Sequence, residues 1–442
     1  MKHIEMMNVS FCSFFSPWFI SQKIFFQWFV DHFYFCYVTV SWSNIKRRLF
    51  RLFIKLPVVR GIAAKELEDT GKQVREQCRS IYKGEKFLEI LPEHGLKKDE
   101  IFEQFEKYLS LSSIDWREGR ASGTVYSDLS SELASIVKEV YASTSHTNPL
   151  HPEVFSGINK MEAEIVRMVA NLYNGDEDVC GTLTSGGTES LLLAIKSYRD
   201  FGRAERGITR PELVAPVTAH AAFEKACHYF RIKFRPIPVD PVTYKVDLKA
   251  MKRAISSNTI ALVGSACGYP HGIIDDIADI SVMGKLYNVP VHVDCCLGGF
   301  LVPFVAAAGY EIPVVDFRLD GVTSISVDTH KYGYAPKGSS VILYRNKNYR
   351  KYQFSVQTNW PGGIYASPTI SGSRPGSAIA TCWASLMYYG FDGYAQATKK
   401  ILDAQRKVLD ALKKEKSVFI MGEPILSVIG LGSNVFNIFR LK

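Results

Sequence analysis

The chain has 442 residues, of which 47% are hydrophobic and 22% charged, and a net charge of +9. That balance excludes a disordered or fibrous polymer and is ordinary for a globular protein long enough for two or three domains. The positive excess crowds into Lys46, Arg47, Arg48, Arg51, Lys55 and Arg60; no nucleic-acid-binding motif accompanies it, so it does not point to DNA or RNA.

In chain order, the first feature is an aromatic-rich stretch from Phe11 to Trp42, interrupted by Lys23, Asp31 and His32. Its best window, Ile24 to Ser43, has the length of a bilayer span, although Asp31 near its middle is costly in hydrocarbon. Residues 1–45 are therefore expected to be a membrane anchor, with an interfacial segment as the alternative. The basic cluster that follows predicts a cytosolic location for everything downstream, or contact with anionic headgroups. Residues 46–115 read as a basic juxtamembrane stretch and a polar helical arm, including the run Lys97 to Tyr108.

From about Val179 short β-rich runs alternate with helical ones. The pattern predicts strands at Leu213–Thr218, Phe234–Val239, Ile260–Ser265, Val289–Asp294, Ser324–Asp328 and Ser340–Tyr344. Helices are expected at Glu189–Arg199, Ala222–Arg231, Leu248–Ser256 and Ile277–Tyr287. This alternation implies an α/β fold with a mostly parallel sheet flanked by helices, in which ligands sit beyond the carboxyl ends of the strands. A large domain over 116–390 is followed by a helix at Gln396–Lys416 and by the start of a small C-terminal α+β domain over 391–442, expected to be incomplete, with its first strand at "SNVFNIFRLK".

Several stretches carry chemistry. "SVDTHKYGYAPKG" (Ser326 to Gly338) runs a strand into His330 and Lys331; a buried lysine needs a partner. "TSGGTES" (Thr184 to Ser190) opens a helix with two glycines, which lets an anion approach the free N–H groups there, and Thr188 can cap that helix. "VHVDCCLGGF" (Val291 to Phe300) ends a strand on Asp294, and His220 in "TAHAAFEKA" follows another. Read singly, these are a capped turn, a helix cap and a structural histidine. Read together, they are a phosphate cradle at Gly187 and Thr188, a flat ring at His220, a carboxylate for a protonated ring nitrogen at Asp294, and a lysine for an aldehyde at Lys331. Pyridoxal 5′-phosphate has all four complementary parts. The nine cysteines are scattered without Cys-x-x-Cys or metal-ligand spacing, as for reduced thiols, and no metal is expected.

The chain resembles the fold-type I pyridoxal phosphate enzymes of the group II decarboxylase branch. Its motifs "VDTHKYGYAPKG", "HVDCCLGGF", "TSGGTES", "NPLHPEVF", "SGTVY" and "SPTISGSRPG" look like those of the sphingosine-1-phosphate lyases. The resemblance implies a homodimer anchored in the endoplasmic reticulum membrane with its catalytic domain in the cytosol. It implies retro-aldol cleavage of a phosphorylated sphingoid base into a long-chain aldehyde and phosphoethanolamine. By the same resemblance Lys331 binds the cofactor as an imine, Asp294 pairs with its ring nitrogen and His220 stacks on it. Gly187, Thr188, His330 and, from a neighbouring subunit, Ser373 are expected at the cofactor. Tyr126, Asn148, His151, Lys337 and Arg374 are expected around the substrate, with Tyr126 or Lys337 as the base. The alternatives are an amino-acid decarboxylase of the same fold and an inactive membrane-tethered relative.

Overall fold

The computed structural model describes residues 56–81, 88–112 and 131–435, together with Phe53, Ile114, Trp116, Glu118, Ala121 and residues 123–127 between them. The expected anchor and most of the basic cluster lie outside the described residues. Among the described residues, no helix is long and apolar enough to cross a membrane. The chain divides into two compact units, Met1–Thr124 and Val125–Lys442. In the first, the polar helical pattern is realised as α1 (Pro57–Ile81) and α2 (Lys98–Leu109). At the start of α2 the Glu100 carboxylate accepts the Lys97 N–H at 2.6 Å, which satisfies a donor that no helical carbonyl can reach.

The second unit opens with α3 (Glu132–Thr144) and α4 (Ser156–Leu172) and continues as alternating strands and helices. These are β1 (Cys180–Thr184), α5 (Gly187–Arg206), β2 (Glu212–Pro216), α6 (Ala222–Phe230), β3 (Lys233–Ile237), α7 (Leu248–Ala254), β4 (Thr259–Ser265), α8 (Ile277–Tyr287), β5 (Val291–Cys295), β6 (Val322–Val327) and β7 (Ser340–Tyr344). They form a seven-stranded sheet in the order β1-β7-β6-β5-β4-β2-β3, antiparallel only where β7 pairs with β1 and β6. The six expected strands are all present, shifted by one or two residues at some ends. The sequence pattern does not resolve β1, a five-residue strand with a glycine inside it. A Cβ at Gly181 would come within 2.3 Å of the Ile342 carbonyl oxygen, so the close approach to β7 requires glycine there.

Strand side chains alternate between faces, and here both faces are buried. Val214, Leu262 and Val293 belong to one core cluster, while their neighbours Leu213, Ala215, Ala261 and Val263 belong to a second. This double burial explains the nearly continuous apolar runs of β2 and β4. On β5 and β6 the second face breaks the rule. His292 lies opposite Ser324 and Asp294 opposite Ser326, and all four are buried. Their polar atoms are paired with one another and with α5. His292 Nδ1 is 2.7 Å from Ser324 Oγ, and its Nε2 is 3.2 Å from Ser326 Oγ. Tyr198 on α5 donates to Ser324 at 2.5 Å. Burial lowers the His292 pKa to about 4, so the ring is uncharged at neutral pH.

Two expectations near the C-terminus need correction. The helix expected at Gln396–Lys416 is the second part of α9 (Gly376–Leu412), a longer helix broken at Gly390, where φ is 55°. The first part is rich in buried residues, including Ile379, Ala380, Cys382 and Ala384, and lacks the polar face that marks a helix in sequence. No strand occupies Ser433–Val435, and the rest of "SNVFNIFRLK" lies outside the described residues. A hairpin, β8 (Ser355–Gln357) with β9 (Tyr365–Ser367), lies before α9; the short pair β10 (Phe419–Ile420) and β11 (Leu431–Gly432) follows it.

One ion pair ties α4 to the segment that leads into α9. Both guanidinium nitrogens of Arg374 meet the two Glu162 oxygens at 2.8 Å, and each side chain is 12% exposed. Removing one member of such a pair leaves a buried charge without its partner. Glu162→Ala is expected to lower stability by roughly 3–5 kcal/mol, read as a drop in the urea denaturation midpoint. A midpoint close to that of the unaltered protein would contradict this role.

Candidate functional site

The site forms where β1, β5 and β6 end and their loops begin. The second face of β5 and β6, followed outward, carries His292 and Ser324, then Asp294 and Ser326, then Asp328 just past the strand. Asp294 is 7% exposed; its Oδ1 accepts the Cys296 N–H at 3.0 Å and lies 3.4 Å from Ser326 Oγ. The carboxylate is thus held by the turn that follows its own strand. Asp328 is 2% exposed, and its Oδ2 lies 2.8 Å from Lys331 Nζ and 3.6 Å from His330 Nε2. Burial works against the Lys331 ammonium, but its acidic neighbours, Asp328 foremost, together outweigh it and raise the pKa of Lys331 above the usual lysine value.

The glycine turn stands against this cluster. A Cβ at Gly187 would fall 2.7 Å from Asp328 Oδ1 and 2.8 Å from Cys296 Sγ, and one at Gly186 would fall 3.3 Å from His330 Cε1. The turn starts α5, whose first N–H groups have no partner within the helix, and its Gly187 lies beside the aspartate–lysine pair. Thr188 does not cap α5, contrary to the sequence expectation. The Ser185 N–H and hydroxyl both donate to Glu189 Oε2 at 2.7 Å, and Gly186 takes the cap position. Thr188 lies exposed in the first turn.

Lys337 and Tyr126 form the outer rim. Lys337 Nζ lies 4.8 Å from the Tyr126 ring centroid and 3.3 Å from the His330 carbonyl oxygen. Tyr126 meets Tyr332 edge-on at 5.0 Å. Burial raises the Tyr126 pKa against the opposing effect of Lys331. For Lys337, burial and then the nearby Lys331 charge both lower the pKa. The two rim groups are therefore biased in opposite directions: the phenol keeps its proton and the amine more readily gives its own up.

The remaining expected residues are placed differently. His220 is exposed at the end of β2, and its Nδ1 accepts the Ala222 N–H at 3.1 Å, which fixes the ring orientation at the start of α6. His151 is exposed beside Glu153, 3.8 Å from its carboxylate. Asn148 donates to Ser373 Oγ at 3.0 Å and accepts the Arg374 and Leu150 N–H groups. Arg374, expected at the substrate, has its guanidinium engaged by Glu162 and by the Leu183 carbonyl. Asp328 is the residue missing from the expected site. Its spacing of three before Lys331 was the available signal, since a loop that turns back after the strand brings such neighbours together.

The donor set suits pyridoxal phosphate. Among the described residues, Asp328 Oδ1 and His330 Nδ1 are buried polar atoms with no hydrogen-bond partner in the protein. Unpaired buried polar atoms are costly, and both stand at the glycine turn, where a bound polar group could pair with them. Gly187→Ala is expected to weaken pyridoxal phosphate binding at least tenfold in a fluorescence titration, with the circular dichroism unchanged. Unaltered affinity would show that the turn does not hold the cofactor.

Comparison with known proteins points to the same cofactor. Residues 82–432 match the pyridoxal-dependent decarboxylase conserved domain. The sphingosine-1-phosphate lyase of Drosophila melanogaster is 51% identical over 397 residues, covering 90% of this chain and 73% of that protein. Sphingosine-1-phosphate lyase 1 of Rattus norvegicus is 49% identical, covering 91% and 70% respectively. Among solved structures, the sphingosine-1-phosphate lyase of Burkholderia pseudomallei aligns with a TM-score of 0.76 at 40% identity, covering 80% of this chain and 82% of that one.

Proposed function

We propose, from the premise that this chain belongs to the pyridoxal-phosphate-dependent sphingosine-1-phosphate lyase family, that it cleaves phosphorylated long-chain sphingoid bases by a retro-aldol reaction. The products are a long-chain aldehyde and phosphoethanolamine. The observation that carries this reading is the convergence of Lys331, Asp294 and the Gly186–Gly187 turn at one end of the sheet, with Lys337 and Tyr126 on the rim.

When bound, the cofactor supplies a conjugated ring that accepts the electron pair of the bond being broken. Lys331 would hold its aldehyde carbon and Asp294 its ring nitrogen. Gly187 and Thr188 at the start of α5, His330, and Ser373 from a second copy of the chain would hold its phosphate. His220, with one nitrogen committed to Ala222, would lie against the ring. Around the substrate, Lys337 accepts the C3 hydroxyl proton and Tyr126 donates a hydrogen bond beside it, because their pKa values move in opposite directions. His151 would approach the substrate phosphate from its exposed position, and Asn148 acts by holding the Ser373–Arg374 segment. On this reading residues 116–390 form the cofactor-binding domain, 391–442 contribute to a smaller one and 46–115 form an arm. The proposal also includes a homodimer, an endoplasmic reticulum anchor over residues 1–45 and a cytosolic catalytic domain.

Incubated with pyridoxal phosphate and sphingosine 1-phosphate, the protein is expected to release a long-chain aldehyde. Carbon dioxide release from glutamate or an aromatic amino acid would favour the decarboxylase alternative, and no turnover the inactive one. Lys337→Arg keeps the charge but does not serve as a base. It is expected to lower kcat/KM by roughly 10²–10⁴-fold. In the unaltered enzyme kcat/KM should rise with pH until Lys337 is deprotonated, and the variant should lose that limb. A variant that retains both rate and pH profile would remove Lys337 from this role.

A further inference from the structure

Asp328 is the most enclosed charged group at the site, yet the proposed reaction does not use it. One of its oxygens is 2.8 Å from Lys331 Nζ, and the other is buried without a partner against the Gly187 turn. The pair is local, with two residues between its members, and it forms where the chain turns after β6. An amine that takes up an aldehyde must first present a free lone pair. A lysine clasped by a carboxylate at hydrogen-bond distance presents none.

We propose that Asp328 is a positioning residue: before the cofactor arrives it holds the Lys331 side chain inside the site as an ion pair, and that pair opens, with Lys331 releasing a proton to solvent, when the amine adds to the aldehyde carbon and the aldehyde oxygen leaves as water. This rests on the reading of Lys331 as the cofactor-holding amine. The other groups facing Lys331 do not supply the same hold. Asp294 comes from β5 and spends one oxygen on the Cys296 N–H. The thiols of Cys267 and Cys296 and the phenols of Tyr126 and Tyr332 are pushed up by burial and stay neutral near pH 7. His330 is pulled down by burial, and Lys337 carries the same charge sign as Lys331.

The test reads Lys331 directly in the full chain prepared without pyridoxal phosphate. Reductive methylation with formaldehyde and cyanoborohydride is followed by peptide mass spectrometry across pH, with surface Lys249 as reference. In the unaltered protein Lys331 should be labelled at higher pH than Lys337. Asp328→Asn should move the Lys331 midpoint down by at least one pH unit, equivalent to about tenfold more labelling near neutrality, while Lys249 stays fixed. Asp328→Glu, which restores the charge, should return the midpoint toward the original. An unchanged midpoint in a folded Asp328→Asn protein would overturn the proposal. So would Lys331 labelling before Lys337 in the unaltered protein, whether or not the variant folds. Neither result touches the lyase assay, and loss of aldehyde release would leave this profile standing, so the two readings fail separately.

Discussion

The site depends on a run of polar side chains on one buried face of β5 and β6. In a doubly covered sheet that face should be apolar, as Leu213 and Ala215 of β2 and Ala261 and Val263 of β4 make it. On β5 and β6 it carries His292, Ser324, Asp294 and Ser326, each tied to a neighbour, with Tyr198 of α5 closing the inner end. Hydrogen bonding removes most of the penalty of burying these groups. It also means that Asp294 on its strand and Asp328 just past the end of β6 stand at the outer end, where charge is wanted. The aspartates, the lysine after β6 and the glycine turn before α5 are consequences of where that polar face reaches the edge of the sheet.

This arrangement separates duties by depth. The innermost groups are neutral: His292 is held uncharged by burial. The middle layer holds the carboxylates of Asp294 and Asp328, with Lys331 paired to the second. The rim holds Lys337 and Tyr126, which are partly open to solvent and therefore able to exchange protons. A cofactor in the middle layer would meet fixed charge on one side and proton-exchanging groups on the other. Pre-positioned charge of this kind needs little reorganisation during reaction.

Much of this was legible in the sequence. Short β-rich runs alternating with helical ones located six strands, and the end of a strand is where Asp294 and Lys331 fall. The Gly186–Gly187 turn was legible because two adjacent glycines before an apolar helix leave its first N–H groups open to an anion. What could not be read were contacts set by tertiary packing. Arg374 looked free for a ligand because Glu162 is more than two hundred residues away in sequence, yet the two meet face to face. Thr188 looked like a cap, but Glu189 reaches back to Ser185 first. Asp328 is legible as a polar group where a buried strand ends, but only the fold shows its carboxylate enclosed against Gly187 and Lys331.

The central claim is that Lys331 is the amine that holds the cofactor. The most direct measurement is to incubate the purified chain with pyridoxal phosphate, record the visible absorption band, reduce with borohydride and map the modified peptide. The account predicts a band that disappears on reduction and a single label on Lys331. A label on Lys337 or on a surface lysine, with Lys331 unmodified, would contradict it.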